Sequence, residues 1–161
     1  MNPNIKSFEI RWADLDPNRH VANITFSSLM NERRMAYLVE HDFTQRSFQQ
    51  HNIGPVVLKE EFNYMKEVMP NETVHIDIEL LGHTADYKIV KWCHSLFNTK
   101  GQQAVYSEVL FAWFDLESRK LTVPPKALID IMECMPKSEY FRIFSSEEIK
   151  NTQIPNKTLE L

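Results

Sequence analysis

The hydrophobic pattern of this chain changes period twice. At residues 8–12 the apolar positions Phe8, Ile10 and Trp12 alternate with Glu9 and Arg11, the period of a half-buried strand. Across residues 25–40 the apolar positions Phe26, Leu29, Met30, Ala36 and Tyr37 fall at helical spacings. Asn31, Glu32, Arg33 and Arg34 interrupt this helix and read as a solvated face or as ion pairs at subunit contacts. Either Asn23 or Thr25 can serve as its N-cap. Residues 41–44 end the helix, one or two further turns follow to Gln50, and Asn52 to Pro55 reads as a breaker.

Beyond the breaker the period is again two. Residues 56–68 place Val56, Leu58, Phe62, Tyr64 and Val68 on one side and Glu61, Asn63 and Glu67 on the other. Residues 73–81 alternate with Val74, Ile76, Ile78 and Leu80 inward and His75, Asp77 and Glu79 outward, before an expected turn at 82–86. Residues 87–97 and 104–116 form two longer strands joined by a hairpin turn at 98–101. Both carry apolar residues on both faces, so Phe111 and Trp113 are expected to meet another helix, a lid or a second subunit. A short helix with Pro near its start is expected at 124–132. The order is one strand, one long helix and about four antiparallel strands, an α+β pattern with a helix lying on a strongly curved sheet. One domain is expected over residues 1–135, with 136–161 a C-terminal tail, partly mobile or packing on a neighbour.

Composition narrows the class. A chain of 161 residues, 43% hydrophobic and 25% charged, suffices for one domain with a real core. A net charge of −4 argues against a nucleic-acid partner. No apolar run is long enough to span a membrane, and residues 1–6 lack the apolar core of a signal peptide. Cys93 and Cys134 form no framework or metal pair and read as reduced packing residues, which suits a cytoplasmic protein.

The densest chemistry lies between the first strand and the long helix. Asp14-Leu-Asp-Pro-Asn-Arg-His-Val-Ala-Asn23 holds two carboxylates, two carboxamides, an imidazole and a guanidinium. Asp, Asn and Pro are also ordinary turn and capping residues, so a purely structural turn stands beside any functional reading. Asp14, Asp16 and Asn18 have the spacing of calcium-loop ligands, but Arg19 and Thr25 stand where that loop needs Gly and Glu. A single His with carboxylates is no zinc site either. No metal is expected. A polar loop feeding a helix N-terminus does present free backbone N–H groups and a local positive potential, able to hold a carbonyl oxygen as it becomes an oxyanion.

Arg11-Trp-Ala-Asp-Leu-Asp-Pro-Asn-Arg-His-Val-Ala-Asn-Ile-Thr-Phe26 resembles the loop that leads into the helix of hotdog-fold acyl-CoA thioesterases of the 4-hydroxybenzoyl-CoA thioesterase-like branch. There it typically reads Asp-x-Asp, a few residues, Gly-His-Val-Asn-Asn and an aromatic. Ile53-Gly-Pro-Val-Val-Leu58 and Met69-Pro-Asn-Glu-Thr-Val74 resemble that branch's second strand and its turn, and the likeness covers roughly residues 7–130. Arg19 replaces the usual Gly, Ala22 the first Asn and Phe26 the usual Tyr.

The resemblance implies a curved antiparallel sheet wrapped around one long helix, a homodimer or dimer of dimers, and sites shared between subunits. It implies hydrolysis of an acyl-CoA or acyl-carrier thioester with no separate cofactor. It makes Asp16 the leading catalytic residue, as nucleophile or as general base toward water. Backbone N–H groups around Asn23 and Ile24 would hold the oxyanion, and His20 would orient water or protonate the leaving group. Asp16-x-Asn18-x-His20 also resembles a pattern of plant acyl-ACP thioesterases, in which all three residues are implicated. Asp14 more naturally braces the loop. Glu61, Asn63 and Glu67 are candidates to approach a neighbouring site, and Lys59, Lys66, Lys88 and Lys91 to meet coenzyme A phosphates. Two other classes share this fold: an enoyl-thioester hydratase or dehydratase, whose motif separates Asp and His by four residues rather than the three here, and a non-catalytic binding or scaffold protein.

Overall fold

A computed structural model describes residues 4–150. Seven strands are β1 (Lys6–Glu9), β2 (Ile53–Tyr64), β3 (Thr73–Ile76), β4 (Glu79–Thr84), β5 (Ile89–Phe97), β6 (Gln103–Asp115) and β7 (Lys137–Phe144). The helices are α1 (Asn23–Glu40), α2 (Gln45–Gln50), α3 (Lys126–Cys134) and α4 (Ser146–Lys150). All strands join one sheet. β5 pairs with β6 along one side, and β6 in turn with β2. On its other side β5 meets β3 and β4 one after the other, with β1 outside β3 and β7 outside β4. Every pairing is antiparallel except that of β4 with β7. This is the hotdog arrangement: the sheet curves around α1.

α1 holds the sheet because its buried positions form one broad stripe. Phe26, Leu29 and Met30 pack with Val74, Ile76, Leu96 and Val105, while Tyr37 and Leu38 pack with Leu80, Trp92, Val109 and Phe111. Trp113 and Phe111 are buried within this chain, in the same cluster as Leu128 and Met132 of α3. The cover that the two-faced strand requires is therefore supplied by helices of this chain.

Between these two apolar clusters lies a polar belt that the sequence pattern misassigned. Arg33 and Arg34 are buried, not solvated. Arg33 bonds Glu40 at 3.2 Å and the Asn4 carbonyl at 3.0 Å; Arg34 bonds Glu60 at 2.8 Å. Buried guanidinium groups persist only when paired, and both pairs lie within the chain. Beneath them His94 is fully buried, its Nδ1 2.9 Å from the Asp77 carbonyl oxygen. Burial and the nearby Arg34 charge push its imidazole down to about 3, so it is neutral.

Three boundaries differ from the expected ones. Ile53 to Pro55 opens β2 rather than breaking the chain. β2 is an edge strand, where Pro costs no ladder bond. The expected strand 73–81 divides at Asp77, whose carboxylate accepts the Ser95 N–H at 2.5 Å and so points to β5, not to solvent. The expected turn at 82–86 is largely strand: β4 runs to Thr84, because a register shift between Leu80 and Gly82 lets it continue along both β5 and β7. Where a C-terminal tail was expected, residues 137–144 form β7 and α4 follows. The rest of that tail, like residues 1–3, lies outside the described residues.

Candidate active site

The loop from Asp14 to Ala22 is built from backbone outward. Asp14 ends a short 3-10 turn and is buried. Its carboxylate accepts the Arg11 backbone N–H at 2.7 Å and the Arg11 Nε–H and Nη2–H at 3.1 Å each. The Arg11 hydrogen bonds hold this carboxyl below the usual Asp range. The Asp14 carbonyl accepts the Ala22 N–H at 2.9 Å and the Thr25 hydroxyl at 3.0 Å, closing the loop. Asp14 is thus the brace the sequence suggested.

Inside that closure the chain makes a tight turn. Asp16 N–H donates to the His20 carbonyl at 2.8 Å and Arg19 N–H to the Asp16 carbonyl at 3.0 Å. Asp16 Oδ1 accepts the N–H of Asn18 at 2.8 Å and of His20 at 3.0 Å. Arg19 has φ +65°, left-handed backbone that favours Gly, which explains why Gly is usual there in the branch the loop resembles. Asp16 is half-buried, and among the described residues its Oδ2 forms no hydrogen bond. Two backbone hydrogen bonds to one oxygen thus fix the carboxylate.

α1 begins at Asn23, and Ala22 occupies the N-cap position with no side-chain cap. Neither Asn23 nor Thr25 caps the helix: Asn23 is its first residue, and the Thr25 hydroxyl is committed to Asp14. Asn23 and Ile24 are among the first residues of an α-helix, whose N–H groups have no intrahelical partner. The Ile24 side chain is 79% exposed. Beside it a cleft of about 260 Å³ is lined by Ala13, Ile24, Thr25, Ser28, Leu29 and Glu32.

The remaining candidates spread out. His20 is exposed, with Nε2 3.6 Å from Glu67 Oε1 on the segment between β2 and β3. The Asn18 side chain is exposed and its backbone N–H serves the turn. Glu61 pairs with Lys59 at 2.9 Å, and the Lys59 hydrogen bond holds its carboxyl down; within this chain it is not part of the loop cluster. Lys88 and Lys91 are likewise paired, with Asp86 and Glu108. The sequence reading missed Glu60, which accepts Ser27 Oγ–H at 3.1 Å as well as Arg34. Its even-numbered position beside Phe62 and Tyr64 was the available signal.

Residues 10–146 match the model of the thioesterase-like superfamily. No curated protein matches. Among solved structures the chain is similar to YbaW, a probable thioesterase from Escherichia coli, at 22% identity and TM-score 0.70, covering 83% of this chain and 98% of that one. It is similar to a DHNA-CoA thioesterase from Staphylococcus aureus at 18% identity and TM-score 0.72, covering 81% and 86%. A hypothetical Staphylococcus aureus protein in complex with CoA matches at 14% identity and TM-score 0.73, covering 96% and 95%.

Proposed function

The chain belongs to the thioesterase-like superfamily, and on that premise we propose that it hydrolyses an acyl-CoA thioester to the free acid and coenzyme A. The observation that carries this reading is the Asp16 carboxylate: Oδ1 is pinned by two backbone N–H groups while Oδ2 is left open, in the loop that feeds α1. The thioester carbonyl sits on the first amides of α1, at Asn23 and Ile24, where the helix dipole adds to the two donors. Asp16 either attacks the carbonyl carbon, expelling the thiolate and leaving a mixed anhydride that water then hydrolyses to the free acid, or takes a proton from a water that attacks the carbonyl as the thiolate leaves. His20, beside Glu67, handles water or the leaving group. Membership of the superfamily and the likeness to a CoA-bound structure support a coenzyme A thioester as substrate.

The active unit is a homodimer. β2 supports this: it runs twelve residues, pairs among the described residues with β6 alone, and exposes Val56, Val57 and Leu58. An edge of that length and character is a template for pairing with a second copy. The free thiols Cys93 and Cys134 fit a cytoplasmic protein.

Free-thiol release from short, aromatic and long acyl-CoAs, run beside enoyl-CoA hydration, tests the reading. Thiol release without hydration is expected. Hydration alone assigns the chain to the hydratases, and binding without either reaction makes it a non-catalytic binder.

A further inference from the structure

The cations of this chain divide into those the fold uses and those it leaves over. Lys59, Lys88 and Lys91 each pair with a carboxylate, as do Arg33 and Arg34 of α1. Arg19 and Lys66 are different. Both are exposed, and among the described residues neither side chain forms an ion pair or a hydrogen bond.

The fold brings these two side by side. Arg19 precedes His20, Lys66 precedes Glu67, and His20 Nε2 lies 3.6 Å from Glu67 Oε1. Val21 and Val68, just beyond them, are buried in one apolar cluster with Phe26 of α1. The Lys66 N–H donates to the Ala104 carbonyl at 3.1 Å, which anchors that segment past the end of β2 at Tyr64. Lys66 thus lies outside Val56, Val57 and Leu58, the edge residues suited to a second copy. Arg19 holds its place under strain: φ is +65°, left-handed backbone that disfavours every residue but Gly. The turn uses only its main chain, whose N–H bonds the Asp16 carbonyl.

Charge decides which part of a substrate belongs here. The cleft at Ile24 holds the carboxylates of Asp14 and Glu32, and its Arg11 is bound to Asp14 at 3.1 Å. A phosphate is repelled there. At Arg19 and Lys66 the nearby carboxylates are turned elsewhere, Glu67 to His20 and Asp16 to the N–H groups of its own turn. Two uncommitted cations suit phosphate oxygens. Reach agrees: the pantetheine arm of coenzyme A runs about thirteen bonds from sulfur to phosphorus, about 16 Å extended at about 1.25 Å per bond. Arg19 lies within about 14 Å of chain from Asn23, at about 3.5 Å per residue, and its side chain reaches further.

We propose that Arg19 and Lys66 bind the phosphates of coenzyme A, so that the nucleotide end of the substrate leaves the site past His20. This rests on the reading of the helix N-terminus as the thioester site. Arg19 stands where the branch usually has Gly, so the contact is this chain's own.

The test compares the best acyl-CoA with the matching acyl-pantetheine, which carries no phosphate. In wild type, kcat/KM should favour the CoA ester at least tenfold. Arg19→Gly should lower that ratio at least fivefold and melt no lower than wild type, because Gly suits the left-handed turn. Lys66→Gln should lower the ratio likewise, and keeps the test open should Arg19→Gly disturb the loop. Arg119→Gly is the control: Arg119 is also left-handed, with φ +56°, beyond the opposite end of β6 from Ala104, and the ratio should stay at the wild-type value. A wild-type ratio in a folded Arg19→Gly or Lys66→Gln protein overturns the proposal. Calorimetric binding of free coenzyme A separates it from the hydrolase reading. If no thioester is cleaved, the phosphate site stands when coenzyme A binds both variants at least fivefold more weakly than wild type. It falls when either variant binds like wild type, or when wild type binds coenzyme A no tighter than pantetheine.

Discussion

Asp16 Oδ1 accepts the backbone N–H of His20 at 3.0 Å, so the carboxylate and the imidazole at the two ends of this turn are joined through the main chain rather than through the ring. The His20 ring is left free to face solvent and Glu67. The contact fixes Asp16 without engaging the imidazole.

His20, Asn23 and Thr25 should consequently respond differently to truncation. His20→Ala should lower turnover at least tenfold with little change in melting temperature, because the exposed pair with Glu67 contributes little stability. Asn23→Ala should change stability by less than about 0.5 kcal/mol, since Asn23 caps nothing. Thr25→Val removes a buried hydrogen bond to the Asp14 carbonyl and should cost about 1 kcal/mol. Thermal melts of the three variants beside thiol-release assays check this ordering.

The Arg34–Glu60 pair should behave as a buried ion pair. Arg34→Met leaves Glu60 uncompensated against α1 and should destabilise the fold by about 3 kcal/mol. The double variant Arg34→Met/Glu60→Leu should recover much of that loss, because both desolvated charges are gone. Urea denaturation of the single and double variants measures the recovery.

Asp77 predicts a pH dependence. Burial raises its carboxyl to about 6 from an ordinary 3.8, against the opposing hydrogen bond from Ser95. The folded state thus holds this proton more tightly than the unfolded one, and stability from this group is full below about pH 4 and lost as pH rises through about 6. Asp77→Asn, whose carbonyl oxygen can still accept the Ser95 N–H, should raise stability at pH 7 by up to about 3 kcal/mol. It should also flatten the decline between pH 4 and 6, as read from melting temperatures across that range.

The dimer should depend on the β2 edge. Val56→Lys places a charge on that edge and should shift the protein toward monomer in sedimentation at low micromolar concentration, with activity falling in parallel. A fully active monomer would contradict the shared-site arrangement.

How far the fold was legible follows from these residues. The helix expected over residues 25–40 and the alternation of Val74 and Ile76 were visible because their apolar positions recur at regular spacing. Arg33, Arg34 and His94 were not, because a buried ion pair and a solvated face look alike until the partner strand is in place. Pro55 was misread because its meaning depends on whether a strand is central or at an edge, which is a property of the sheet. At the site, Asp16 and His20 stood out by composition and family likeness, but the absence of a side-chain cap at Ala22 depends on the turn geometry that the left-handed Arg19 completes.

On the proposed reading, Asp16 performs the chemistry. Asp16→Asn is the direct measurement, because the Asn side-chain oxygen can still accept the Asn18 and His20 N–H groups while losing its charge and basicity. Compared with wild type on the best acyl-CoA substrate, the variant should keep its melting temperature and lose about 10²–10⁴-fold in turnover. Near-normal turnover by a folded Asp16→Asn protein would rule out Asp16 as nucleophile or base.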